Sequence, residues 1–121
     1  MKTVTVYTVT QAEEKSGPAS ISVVLLEGKK TLVEKTESIG NASRSYAEYV
    51  AVLRALEMLV ELYGARTTEM RFEVCLTSDV VKRQLCSEVP VTEPGLVPYF
   101  MAIHNMRVAS FPFLSVTAKK L

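Results

Sequence analysis

SYAEYVAVLRALEMLVELYG, residues 45–64, is the stretch on which the fold turns. At about 100° per residue, Leu59, Val52, Tyr63, Leu56, Tyr49, Val60 and Leu53 fall on one continuous arc that begins beside Glu48. Ala55 and Leu62 close the arc on its other side. Arg54, Glu57 and Glu61 gather on the opposite face, with Val50 the one apolar residue among them. This is the pattern of an amphipathic helix laid on a larger apolar surface. Ser43 or Ser45 can cap its start, and Gly64 supplies its C-terminal cap. Glu48 is the anomaly, a carboxylate inside the apolar arc, one turn from the helix N-terminus. Either it escapes to solvent there and complements the helix dipole, or it projects into a site at the edge of a sheet.

The flanking sequence supplies that sheet. Residues 2–10 alternate Val4, Val6 and Thr8 with Thr3, Thr5, Tyr7 and Val9, as in a strand covered at least partly on both faces. Residues 11–18 are polar and end in Gly17-Pro18, a turn signal. Residues 20–26 (SISVVLL) form a β-branched strand, and Glu27-Gly28-Lys29-Lys30 is a hairpin connection into a third strand over 31–38. Ile39-Gly40-Asn41-Ala42 ends that strand ahead of the helix. Beyond Gly64, residues 71–76 read as a fourth strand, and a second helix runs from Thr77-Ser78-Asp79 to about Cys86. Residues 87–95 carry Pro90 and Pro94 and form a loop. A third helix covers 96–108 and a fifth strand 111–118. The predicted order β-β-β-α-β-α-α-β implies an α/β fold, a mixed five-stranded sheet with flanking helices.

Composition narrows the function classes. A chain of 121 residues is one domain, able to bury about two-thirds of its unfolded surface. Fourteen Lys and Arg against thirteen Asp and Glu give a net charge of +1, which is no footprint for strong nucleic-acid or membrane binding. The N-terminus lacks a signal-peptide core and no apolar run approaches a membrane span. Cys75 and Cys86 have no zinc-like spacing and read as reduced, buried thiols of a cytoplasmic protein. The acidic residues are twelve Glu and a single Asp, Asp79, whereas metal sites for phosphoryl chemistry draw on several short carboxylates.

Nearly the whole chain resembles the ribonuclease H superfamily, in its short single-domain form without an extra basic helix. Tyr7-Thr8, followed eight residues on by residues 17–24 (GPASISVV), resembles that family's first hairpin. Ile39-Gly40 and then Ala47-Glu48-Tyr49 with Ala51 and Leu53 resemble its first-helix motif. Ser78 with Val81, Gln84 and Leu85 resembles the start of its second helix, and Leu96-Val97-Pro98 the start of the next. The resemblance implies a ribonuclease H-like fold. It also implies, in a complete member, four carboxylates that hold two Mg²⁺ ions and cleave the RNA strand of an RNA–DNA hybrid. Glu48 matches the family's helix carboxylate. Val9 stands where the first-strand Asp is expected, with Thr10 in place of the following Gly, and Thr77 stands where the fourth-strand Asp is expected. The Asn pair used near the helix start is Arg44-Ser45. The final Asp belongs to a C-terminal helix expected to be missing, the sequence ending at Lys119-Lys120-Leu121.

The expected function is therefore a degenerate ribonuclease H-like domain serving as a binding or assembly module, with no cofactor. Its partner would be a second copy of the chain, another protein or, weakly, a nucleic acid. Val50, Met58, Met101 and Met106, read as exposed, suit a homodimer. The rival is a nuclease dependent on Mg²⁺ or Mn²⁺ in which Glu48, Asp79 and a loop glutamate (Glu13 or Glu14) form a rearranged site. A third reading is nucleic-acid binding without cleavage. Asp79 at a helix start and Glu13-Glu14-Lys15 in a solvated loop have ordinary structural explanations. So do His104, the one histidine, and Cys86, which lacks a partnered His. If Glu48 has no metal and few donors, replacing it with Gln or Met should be neutral or stabilising.

Overall fold

The structure, a computed structural model, describes residues 3–13, 15 and 17–119. Lys2 at the head of the first predicted strand, Glu14 in the loop and the Lys120-Leu121 tail lie outside the described residues.

Five strands, β1 (Thr3–Gln11), β2 (Gly17–Glu27), β3 (Lys30–Ala42), β4 (Arg71–Leu76) and β5 (Leu114–Ala118), form one sheet in the order β3-β2-β1-β4-β5. The two hairpins pair antiparallel, Val6 opposite Leu25 and Val23 opposite Lys35. β4 joins β1 in parallel, with Val6 beside Val74, and β5 joins β4 in parallel. Three helices, α1 (Arg44–Tyr63), α2 (Asp79–Leu85) and α3 (Val97–Ser110), complete the predicted order.

The helix ends obey their local chemistry. The Ser43 hydroxyl accepts from the Tyr46 amide at 3.3 Å, and Ser78 accepts from the Val81 amide at 3.2 Å, each relieving an orphan donor of a first turn. Gly64 ends α1 at a φ of 56°, in the left-handed region that a side chain would strain.

α1 lies against β1 and β2. Its Tyr49, Val52, Leu56 and Leu59 meet Val4, Val6, Val23, Leu25, Phe72 and Val74 in the main core. Phe72 is fully buried, with Phe111 edge-on to it at 5.4 Å and 83°. Removing a ring from such a position costs about 3–5 kcal/mol.

Several expectations change. Gly17-Pro18 opens β2 instead of forming a turn before it, and Met58 and Met106 are half-buried against the main core, not exposed. β3 does not stop at Ile39. Gly40, at a φ of 77°, carries it through a bulge in which Ile39 has no partner on β2, and pairing continues to Ala42. Val50 is not exposed; with Ala47 and Ala51 it packs on Ala19, Ile21 and Ala42 in a second apolar cluster, because the twisted β2–β3 end reaches round the flank of α1. β5 begins at Leu114, since Phe111 closes the last turn of α3 through its amide to the Arg107 carbonyl, 3.0 Å. Two short 3-10 turns, Gly64–Glu69 and Pro94–Leu96, precede β4 and α3. Among the described residues no helix is long and apolar enough to cross a membrane.

Candidate functional site

Three elements converge on Glu48. α1 contributes the carboxylate, β1 contributes Thr10 near its C-terminal end, and the residue just after β4 is Thr77. Strand parity aims Thr10. Val4, Val6, Thr8 and Thr10 are all buried on the α1 side, while Thr5, Tyr7 and Val9 are half-buried on the other face. The Thr10 hydroxyl donates to Glu48 Oε1 at 2.7 Å, and the Thr77 hydroxyl donates to the same oxygen at 2.9 Å. Glu48 is 1% exposed, so it does not escape to solvent at the helix end. Its other oxygen, Oε2, is buried with no hydrogen-bond partner among the described residues.

The remaining candidates scatter. Val9 is half-buried, pairs with Ser22 across β2 and faces away from Glu48. Asp79 begins α2, is 64% exposed at its side chain and pairs with Arg83 Nε at 2.9 Å, an i,i+4 ion pair. Glu13 is exposed, and its carboxylate lies over Gly17, where an added Cβ would come within 2.9 Å of Oε2. Among the described residues no three His, Cys, Asp or Glu side chains form a group that could hold a metal ion. His104 is exposed and stacks on Phe100, ring centroids 6.5 Å apart. Both cysteines are free. Cys75 is buried as expected, and burial pushes its thiol above the ordinary value. Cys86 is exposed, contrary to expectation, because it sits at the end of the short α2.

Behind Glu48 lies a second polar link that helical spacing alone does not signal. The Tyr49 hydroxyl donates to Gln84 Oε1 at 2.6 Å, tying α1 to α2 inside the core. Burial pushes the Tyr49 phenol up to about 12, and the Glu93 charge adds to the shift. Tyr46 and Tyr99 meet hydroxyl to hydroxyl at 2.6 Å and join α1 to α3. At the mouth of the site Arg44 is exposed and reaches the Ala12 carbonyl at 3.2 Å. The pairing of Thr10 with Glu48 did have a sequence signal, the β1 alternation that sets Thr10 on the side of Val4 and Val6. Nothing local showed that Tyr49 and Gln84 would meet.

The cluster is thus one buried carboxylate held by two hydroxyl donors. Chemically it accepts hydrogen bonds and retains one acceptor oxygen without a partner among the described residues.

The same architecture occurs in solved ribonucleases H. LC11-RNase H1, isolated from compost by a metagenomic approach, is 33% identical over 99% of this chain and 86% of its own, with a TM-score of 0.90. The same enzyme solved in complex with an RNA/DNA hybrid matches at 32% identity over 97% of this chain and 85% of its own, TM-score 0.89. RNase H1 from the halophilic archaeon Halobacterium salinarum is 24% identical over 98% of this chain, TM-score 0.84, and shares the fold. No protein-family model matches the chain, and no curated protein matches it at a significant level. With the β-β-β-α-β-α-α-β order, the Glu48 helix motif and this identity over nearly its full length, the chain belongs to the ribonuclease H family.

Proposed function

We propose that this chain is a ribonuclease H-family domain that binds without cutting, its ligand a nucleic-acid duplex of the RNA–DNA kind. The observation that carries the reading is the donor set at Glu48, where one carboxylate is satisfied by two threonine hydroxyls. Two-metal hydrolysis places two divalent ions about 4 Å apart. Their mutual repulsion has to be neutralised by several carboxylates. Glu48 can supply at most one negative charge, and Thr10 and Thr77 supply none. These residues do not fit a pair of Mg²⁺ or Mn²⁺ ions. The ligand class rests on likeness to the enzyme solved in complex with an RNA/DNA hybrid. With a net charge of +1, binding should be weak at physiological salt and tighten as salt is lowered through counterion release.

The test combines a cleavage assay with fluorescence anisotropy on one labelled RNA–DNA hybrid, in Mg²⁺ and in Mn²⁺. Binding without cleavage is the expected result. Cleavage that disappears in Glu48→Gln would establish a working nuclease and overturn the reading.

An assembly role is the second reading, favoured by one observation on α3. Val97, Met101 and Val108 are 44%, 46% and 74% exposed, and their spacing puts them on one narrow helical face. Sedimentation that stays monomeric at high concentration would remove self-association through that face.

A further inference from the structure

We infer that the hydroxyls of Thr10 and Thr77 have taken over, at Glu48, the partnering a cation would provide, making the site a metal-independent clasp that joins α1, β1 and β4. The inference deepens the proposed function and rests on its reading of the donor set. Loss of metal ligands alone would leave a bare carboxylate in the core, and a buried charge without partners is strongly destabilising. Here Thr77, at one lost ligand position, and Thr10, next to the other at Val9, are both hydroxyl donors, and both aim at the same oxygen, 2.9 and 2.7 Å away. Val at either position is similar in shape and would have donated nothing. Thr10 adds a further point. In the family pattern that Tyr7-Thr8 resembles, its position is a Gly, so the donor arrives on a side chain where none is expected.

The three residues come from α1, β1 and the residue after β4. The clasp therefore fixes the helix start over the C-terminal ends of the neighbouring strands β1 and β4, and leaves Oε2 without a partner among the described residues. Acid restored at position 77 would face Glu48 across the same short distance. Two carboxylates there repel unless a cation lies between them.

Thermal melting with and without millimolar Mn²⁺ tests this, a readout independent of cleavage or hybrid binding. The wild type should melt at the same temperature in Mn²⁺ and in chelator. Thr10→Val combined with Thr77→Val should lower Tm by roughly 5 °C or more, and Thr77→Ser, which keeps the hydroxyl, should stay close to the wild type. Thr77→Asp should melt lower than the wild type in chelator and recover in Mn²⁺. A Mn²⁺-dependent rise in the wild-type Tm that vanishes in Glu48→Gln overturns the inference. So does a double valine variant as stable as the wild type, or a Thr77→Asp variant unresponsive to Mn²⁺. Absence of hybrid binding would defeat the proposed ligand while leaving these melting results as they are.

Discussion

α1 holds ionisable side chains under two opposite conditions. At its N-terminal end Glu48 is sealed in the core with two neutral donors. A turn and a half further along, on the wet side, Arg54 holds Glu37 of β3 at 3.0 Å and Glu57 of its own helix at 3.0 Å, with a third to a half of each side chain still exposed. Distances are alike, yet the energetic consequences differ. Water screens the Arg54 cluster and can replace any member. Around Glu48 water cannot enter freely, so each donor removed leaves an unmet desolvation cost. Bond length therefore says little about importance, and what replaces a lost partner says most.

The contrast can be broken most directly at Glu48 itself. Glu48→Met leaves the Thr10 hydroxyl without an acceptor in the core and should cost about 1–2 kcal/mol in urea unfolding. Glu48→Gln, which keeps one acceptor oxygen, should cost less. Sequence alone led us to expect that both changes would be neutral or stabilising, on the condition of few donors; two donors at 2.7 and 2.9 Å remove that condition. The triple change Glu48→Met, Thr10→Val, Thr77→Val should recover most of the loss, because a fully apolar cluster orphans nothing. A triple variant less stable than Glu48→Met would show that packing, not hydrogen bonding, governs the cluster.

Tyr49→Phe should follow at about 1 kcal/mol, through the lost bond to Gln84. In spectrophotometric titration Tyr49 should ionise near 12, later than an ordinary tyrosine.

The smallest effect belongs to Arg54→Ala, below about 1 kcal/mol and shrinking with added salt. It should also depend on pH. The hydrogen bond from Arg54 holds the Glu37 carboxyl below its ordinary value of 4.5. A depressed folded value gives stability above the unfolded value, lost as pH falls through the folded one. The difference between variant and wild type should therefore be full near neutrality and fade below about pH 4.5. A difference that persists at pH 2 would show that Arg54 acts through its packing instead.

Much of the fold was legible because periodicity is a local property. β4 begins and ends at the residues, 71–76, that read as a strand, and α1 ends on the glycine that its spacing selects. The misreadings arise where distant chain intervenes. Gly40 looks like a terminator, but against β2 its positive φ lets a bulge form and the strand go on. Val50 looks like an intruder on a polar face until the small residues Ala19 and Ala42 close over it. At the site, the helical wheel correctly turned Glu48 inward. Family matching drew attention to Val9, whereas strand parity favours Thr10, and the hydrogen bond follows parity. The link between Tyr49 and Gln84 spans 35 residues, a distance that no local pattern reports.

The bulges of β3 have a consequence for solubility. β3 is an outer strand of the sheet and runs for 13 residues, long enough to invite a neighbouring chain to add itself on. Irregular pairing at Leu32 and again at Ile39 bends its free side, and Lys30, Glu34, Lys35 and Glu37 stud its length. Bent, charged borders resist the edge-to-edge growth that leads to aggregates. The opposite border, β5, has five residues and offers little to extend. The sheet is thus guarded on both margins against edge-to-edge growth.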